Sequence, residues 1–171
     1  CYASGLASTN ALMDRMNPGD HVVAGNDLYG GTYRIFTKVF ERYGIEISFV
    51  DTTDPANIKA AMQPNTRYVY VETPSNPLLS LTDIAAAAEI AHAGEAQLVV
   101  DNTFMSPCFQ QPLEHGADVV MHSSTKFLNG HSDSLGGVLI ASREDDGEWF
   151  AFLQKSAGGI LSPFDSFLTL R

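Results

Sequence analysis

Residues 97–126 read QLVVDNTFMSPCFQQPLEHGADVVMHSSTK. Two short apolar runs frame the stretch, QLVVD (97–101) and DVVMHS (118–123), and each ends in chemistry: Asp101 closes the first, and Lys126 follows the second behind Ser123, Ser124 and Thr125. Both runs are apolar at consecutive positions rather than alternating, which suits strands covered on both faces. Working outward, similar runs recur at HVVAG (21–25), EISFV (46–50), RYVYVE (67–72) and GGVLIAS (136–142). Between them LASTNALMDRM (6–16), TYRIFTKVFERY (32–43), PANIKAAM (55–62) and LTDIAAAAEIAHAG (81–94) carry helical spacing, with Thr82 the expected N-cap of the last and Gly94 its stop. REDDGE (143–148) reads as a solvated turn. Strand and helix in alternation predict an α/β fold, a mostly parallel sheet with helices on both faces.

The totals set limits. A chain of 171 residues with 44% apolar content has the length of one domain and buries roughly 70% of its unfolded surface, so its core needs no staples. A net charge of −10, with no basic run, argues against a nucleic-acid partner. No apolar stretch approaches the roughly 18 residues of a membrane span, so no membrane association is expected. Cys1 and Cys108 form no CxxC, which points away from zinc and disulfide frameworks and towards a reduced, cytoplasmic setting; Cys108 reads as a small buried apolar group. The chain opens on CYASGLAST without an initiator Met and closes on SPFDSFLTLR, so both ends read as cuts through something longer.

In parallel sheets ligands bind beyond the carboxyl ends of the strands. Glu72, Asp101 and the Ser123–Lys126 loop all follow strand-like runs and should meet on one rim. Lys126 has three readings: a surface lysine, the last residue of an S-x-x-K acylation motif, or the amine that holds a phosphate-bearing cofactor. Asp101 closes a wholly apolar strand, where a buried carboxylate costs several kcal/mol unless a cation meets it. Ser123 and Thr125 add hydroxyl donors, and ASGLAST (3–9) places a glycine at a helix start, where free N–H groups face an anion. Amine, carboxylate and anion binder together are what pyridoxal 5'-phosphate requires. Acylation chemistry needs a helix start at the serine and a K-T-G elsewhere; here a strand precedes Ser123 and K-T-G is missing. GHSDS lacks the last glycine of a nucleophile elbow, and no G-x-x-x-x-G-K-[ST] loop occurs. His115, His122 and His131 match no usual metal spacing, and His122 reads as a satisfied core or rim histidine.

SGLAS (4–8), DLYGGTYR (27–34), VETPSNP (71–77), VVDNTFMSP (99–107) and SSTKFLNGHSD (123–133), in this order, resemble the Cys/Met-metabolism family of pyridoxal-phosphate enzymes of fold type I, the aspartate-aminotransferase-like fold. The family includes cystathionine γ-synthase, γ-lyase and β-lyase and methionine γ-lyase. The likeness implies the large cofactor-binding domain over residues 1–171, with an N-terminal arm and a C-terminal domain missing, so that the fragment alone turns over badly or not at all. It implies that Lys126 links covalently to the cofactor and then moves protons between substrate carbons, and that Asp101 pairs with the pyridine nitrogen. It further implies that Tyr29 stacks on the ring and serves as an acid or base, and that Asn76 bonds the phenolic oxygen with Glu72 nearby. Ser4, Gly5, Leu6, Ser123 and Thr125 are expected around the phosphate, and Thr103 among the cofactor contacts. Burial of the lysine amine is expected to ease proton transfer near neutral pH.

Methionine γ-lyases carry a cysteine where this chain has Gly31, and NTFMSP with FLNGHSD lean towards cystathionine γ-lyase or γ-synthase. The expectation is therefore an enzyme of trans-sulfuration that acts on a sulfur-containing amino acid by γ-elimination or γ-replacement. Cystathionine β-lyase or an O-acyl-homoserine sulfhydrylase is the alternative within the family, and a non-catalytic assembly paralogue the alternative outside catalysis. Self-association as a homotetramer is implied by the resemblance alone.

Overall fold

The computed structural model describes residues 1–171, with six strands in one sheet. Strands β1 (His21–Gly25), β2 (Glu46–Val50), β3 (Thr66–Glu72), β4 (Gln97–Asp101) and β5 (Val119–His122) are mutually parallel, and β6 (Val138–Ala141) returns antiparallel to β5. Their order across the sheet is β2-β1-β3-β4-β5-β6. The helices are α1 (Gly5–Met13), α2 (Gly30–Lys38), α3 (Pro55–Ala61), α4 (Ile84–Ala93), the single turn α5 (Ser106–Phe109), α6 (Glu144–Ala157) and α7 (Pro163–Thr169). The expected architecture, a mostly parallel sheet clad on both sides, is the one observed.

Alternation along the strands sorts the core into two layers. Val22, Ala24, Tyr68, Tyr70, Val99 and Val119 pack with Leu12 and Met13 of α1, Phe36 of α2 and Phe150 of α6. Val23, Val69, Val71, Leu98, Val100 and Val120 turn to the other face and meet Ile58 of α3 and Ile84, Ala87, Ala88 and Ala91 of α4. Each fully buried Val, Leu or Phe contributes about 1.5–3 kcal/mol. The alanines let α4 lie close to the sheet, and Asp83 caps its start through a 3.0 Å bond from the Ala86 N–H. Thr82, the expected cap, is instead buried, and its N–H donates to the Thr73 hydroxyl. Gly94 ends the helix as expected.

Two other expectations fail for local reasons. REDDGE is no turn: Glu144, Asp145 and Asp146 form the acidic first turn of α6, where the helix dipole favours them. Asp146 is fully buried, in contact with Arg15 and accepting from Gln97 Nε2 at 2.7 Å. Cys108 is exposed, because α5 is too short to press its side chain against the sheet.

From β1 the chain runs outward to β2, then crosses back to place β3 on the other flank of β1. Such a reversal opens a crevice at the carboxyl ends of the strands, the usual place for a ligand in open α/β sheets. No helix is long and apolar enough to cross a membrane.

Candidate active site

The same alternation that builds the core aims the polar groups. Glu72 lies on the face of Tyr70, Asp101 on that of Val99, and Met121 on that of Val119, all towards α1 and α2. A cavity of about 250 Å³ opens there, at the carboxyl ends of the central strands. α1 contributes Ser4, Gly5 and Leu6, and the loop after β1 contributes Tyr29. Glu72 ends β3 and Asn76 follows it, Asp101 ends β4 and Thr103 follows it, and Ser123, Thr125 and Lys126 follow β5. All eleven residues singled out from the sequence thus line one space.

At one end sits the start of α1. Ser4 caps α1, its hydroxyl accepting from the Ala7 N–H at 3.0 Å. The N–H groups of Gly5 and Leu6, in the first turn, find no partner within the protein. Gly5 is required here: a Cβ would stand 2.9 Å from Ser123 Cβ, so any side chain would part the helix from the lysine loop. Thr125 both donates to Gly136 O at 3.2 Å and accepts from the Gly136 N–H at 3.1 Å, which ties the loop to the approach to β6. Lys126 sits in a turn set by its own N–H to Ser123 O at 3.2 Å and by the Gly130 N–H to Lys126 O at 2.8 Å. Its side chain makes no ion pair, and the residue is exposed rather than buried as expected.

Across the cavity two carboxylates stand side by side. Glu72 and Asp101 are direct partners in the β3–β4 register, 6% and 4% exposed, with no Lys, Arg or His nitrogen within 4.0 Å. Burial pushes the Glu72 carboxyl well above the usual carboxylate range, and the Asp101 charge adds to this; the bond from the Tyr29 N–H pulls partly back. Burial raises Asp101 less, because the Thr103 hydroxyl and N–H hold its charged form. The two carboxyls behave as one system.

Glu72 also shapes the Tyr29 loop, its Oε2 accepting the Tyr29 N–H at 2.7 Å. Asp27 fixes the loop from the other side, through the Ser75 hydroxyl and the Leu78 N–H at 3.1 Å. The Tyr29 ring lies over Gly31, where a Cβ would come within 2.4 Å of its Cε1. Asn76 is half-buried between two cis-prolyl bonds.

Four lining residues escape the sequence reading: Thr32, Phe104, Met121 and Leu135. Met121 could have been found by counting two positions from Val119 along β5; Leu135 arrives from a loop with no signal of its own. Beside Lys126 a second, wider space of about 700 Å³ continues outward, sharing Phe104, Thr125, Lys126 and Leu135 with the first. His122 points away from both; its Nδ1 is buried without a partner, so it is less satisfied than expected, and burial lowers its pKa.

The family model for Cys/Met metabolism PLP-dependent enzymes matches residues 1–171. This chain belongs to that family. It is 51% identical over 170 residues to the cystathionine gamma-lyase of Bacillus subtilis, covering 99% of this chain and 45% of that protein. It is 50% identical over 171 residues to the cystathionine gamma-synthase of Mycobacterium tuberculosis, covering 99% and 44%. Among solved structures, metB from Corynebacterium glutamicum superposes with a TM-score of 0.97 at 47% identity, covering 98% of this chain and 44% of that one. The cystathionine gamma-lyase of Lactobacillus plantarum, complexed with L-serine, gives 0.96 at 44% identity, with the same coverage. The chain therefore spans somewhat under half the length of these relatives.

The cofactor of the family is pyridoxal 5'-phosphate, and the residues present fit it. A buried carboxylate with no protein cation suits a protonated ring nitrogen. Free N–H groups at a helix start suit a phosphate. An unpaired lysine amine in the same cavity suits an aldehyde.

Proposed function

We propose that this chain forms the cofactor-holding part of a trans-sulfuration enzyme that acts on a sulfur-containing amino acid by γ-elimination or γ-replacement. One observation carries the reading: Lys126, on the loop after β5, and Asp101, at the end of the adjacent strand β4, line one cavity with the start of α1. The γ-lyase and γ-synthase names of the relatives support the choice of chemistry. A Coxiella burnetii protein named cystathionine beta-lyase, 46% identical over 172 residues, keeps β-elimination as the second reading.

When bound, pyridoxal 5'-phosphate supplies a ring that takes up the electron pair left by loss of a Cα proton. The Gly5 and Leu6 N–H groups and the Ser123 hydroxyl would hold its phosphate, joined by the Thr125 hydroxyl once its proton turns from Gly136 O towards the anion. Asp101 would keep the ring nitrogen protonated, and Asn76 would bond the phenolic oxygen. Tyr29 would cover the ring face. Lys126 would hold the aldehyde, and its amine, when free, would remove the Cα proton and carry protons between substrate carbons. Removal of a second proton at Cβ permits departure of a γ-substituent, whereas stopping after the first permits β-elimination.

By the same reading the enzyme is a cytoplasmic homotetramer. Two exposed, unpaired cysteines support the reducing compartment, and exposed Leu78, Leu79, Phe109, Phe164 and Phe167 offer apolar surface for self-association.

The test is an assay of the full-length protein with cystathionine, and with an activated homoserine plus cysteine. Release of cysteine with a 2-oxo acid and ammonia establishes γ-elimination, a new thioether establishes γ-replacement, and release of homocysteine selects the second reading. Turnover of none of these substrates overturns the proposal.

A further inference from the structure

Thr103 was expected among the cofactor contacts, but its hydroxyl is engaged inside the protein. The Ser123 N–H lies 2.8 Å from Thr103 Oγ1, and since a backbone amide can only donate, the hydroxyl accepts there. Its single proton is left to point at Asp101 Oδ1, 2.6 Å away, where the Thr103 N–H also donates at 3.1 Å. The result is a directed chain, Ser123 N–H to Thr103 O–H to Asp101, running from the base of the lysine loop on β5 to the acid that ends β4. No such bond reaches Glu72, which receives only the Tyr29 N–H.

We infer that Thr103 is a positioning residue: it selects Asp101 over the neighbouring Glu72 as the carboxylate that carries the negative charge, and it fixes that carboxylate against the segment that bears Lys126. The inference rests on the cofactor reading above. Hydrogen bonds to the ionised form favour that form, and two of them converge on one oxygen of Asp101. Two other groups face this carboxylate from β3: the Glu72 charge opposes ionisation of Asp101, whereas the buried Tyr70 hydroxyl, with no other partner, favours it alongside Thr103. From the lysine loop comes the Lys126 amine, and α1 and the start of α2 bring Ser4, Tyr29 and Thr32. Thr103 alone reaches both Asp101 and the peptide that starts the lysine loop.

The experiment measures the affinity of the full-length protein for pyridoxal 5'-phosphate between pH 6 and 8.5, by absorbance titration, in the natural protein, Thr103→Val and Thr103→Ser. Loss of the hydroxyl leaves Asp101 protonated to higher pH, so Thr103→Val binds about tenfold more weakly near pH 6, the equivalent of one pKa unit, and recovers most of the difference by pH 8.5. Thr103→Ser, which keeps the hydroxyl, follows the natural protein. Thermal melting of the cofactor-free forms checks folding, and Thr103→Ala replaces the valine variant if that one melts early. Uniform weakening at every pH, or an unchanged profile, overturns the inference while leaving the cofactor reading intact. A natural protein that develops no visible band removable by Lys126→Ala overturns the cofactor reading, and the inference with it.

Discussion

The two ends of the sheet treat buried acid in opposite ways. At the amino ends of the strands, Asp146 is fully buried but touches Arg15, and Arg143 and Arg67 pair with Asp145 and Asp20 at 2.8 and 3.2 Å. At the carboxyl ends, Glu72 and Asp101 are nearly as deeply buried, yet hydroxyls and amides are their only partners. A buried charge with a guanidinium beside it is neutralised by the fold; one without keeps an unmet demand for a cation. The amino end is architecture, and the carboxyl end is a site that the fold leaves electrostatically unfinished.

Breaking the unfinished end should cost function before stability. Asp101→Ala in the full-length protein is expected to lower turnover by at least about 10³-fold, comparable to loss of a major electrostatic contact in a site, while the melting temperature without cofactor does not fall. Equal loss of cofactor-free stability would erase the distinction between the two ends. The reverse holds for Asp146→Ala, which leaves Arg15 with Asp145 alone at 3.5 Å and Gln97 Nε2 without its acceptor. Denaturant melts should show a loss of about 1–3 kcal/mol, and turnover per folded molecule should stay the same.

A finer contrast comes from pH. Carboxyls whose pKa is raised in the folded state bind more protons folded than unfolded, so their contribution to stability is present at low pH and lost as pH rises. For Asp101, raised to about 6, and Glu72, raised to about 8, that loss runs from the ordinary carboxylate range upward through neutrality. The buried histidines His21 and His122, with lowered pKa values, act in the opposite sense, so the readout is a difference between variants. Cofactor-free Asp101→Asn/Glu72→Gln should match the natural protein near pH 4 and exceed it at pH 8 by about 1.4 kcal/mol or more, the worth of one pKa unit. The smallest effect belongs to the exposed pair at the amino end: Arg67→Ala should cost less than about 1 kcal/mol in the same melts.

Much of this contrast was legible in the sequence. Asp101 at the end of QLVV and Lys126 after DVVMHSST announced two strand tips on one rim, and all eleven chosen residues meet there, because parallel strands share a direction and ligand-facing loops share an end. What stayed hidden depends on groups distant in the chain. Nothing in REDDGE shows that Asp146 will be buried, since its partners, Arg15 and Gln97, come from the turn after α1 and from β4. The exposure of Cys108 follows from the shortness of α5, which composition does not reveal. The double use of the Thr103 hydroxyl could not be read from NTF, because its second partner, Ser123, lies 20 residues on.

The first residues of the chain pair with a segment well past its middle: Tyr2 exchanges backbone bonds with Gly137 at 2.7 and 2.9 Å, and a side chain at Gly137 would collide with Ser4 O at 2.2 Å. The anion-holding end of the cavity therefore closes a loop of well over a hundred residues, one of the slower events a chain of this kind undergoes. During synthesis, β1 to β4 can stack while the helix start beside Ser4 still waits for its floor. The capacity to retain cofactor should thus appear late on the ribosome, only after residue 137 has emerged.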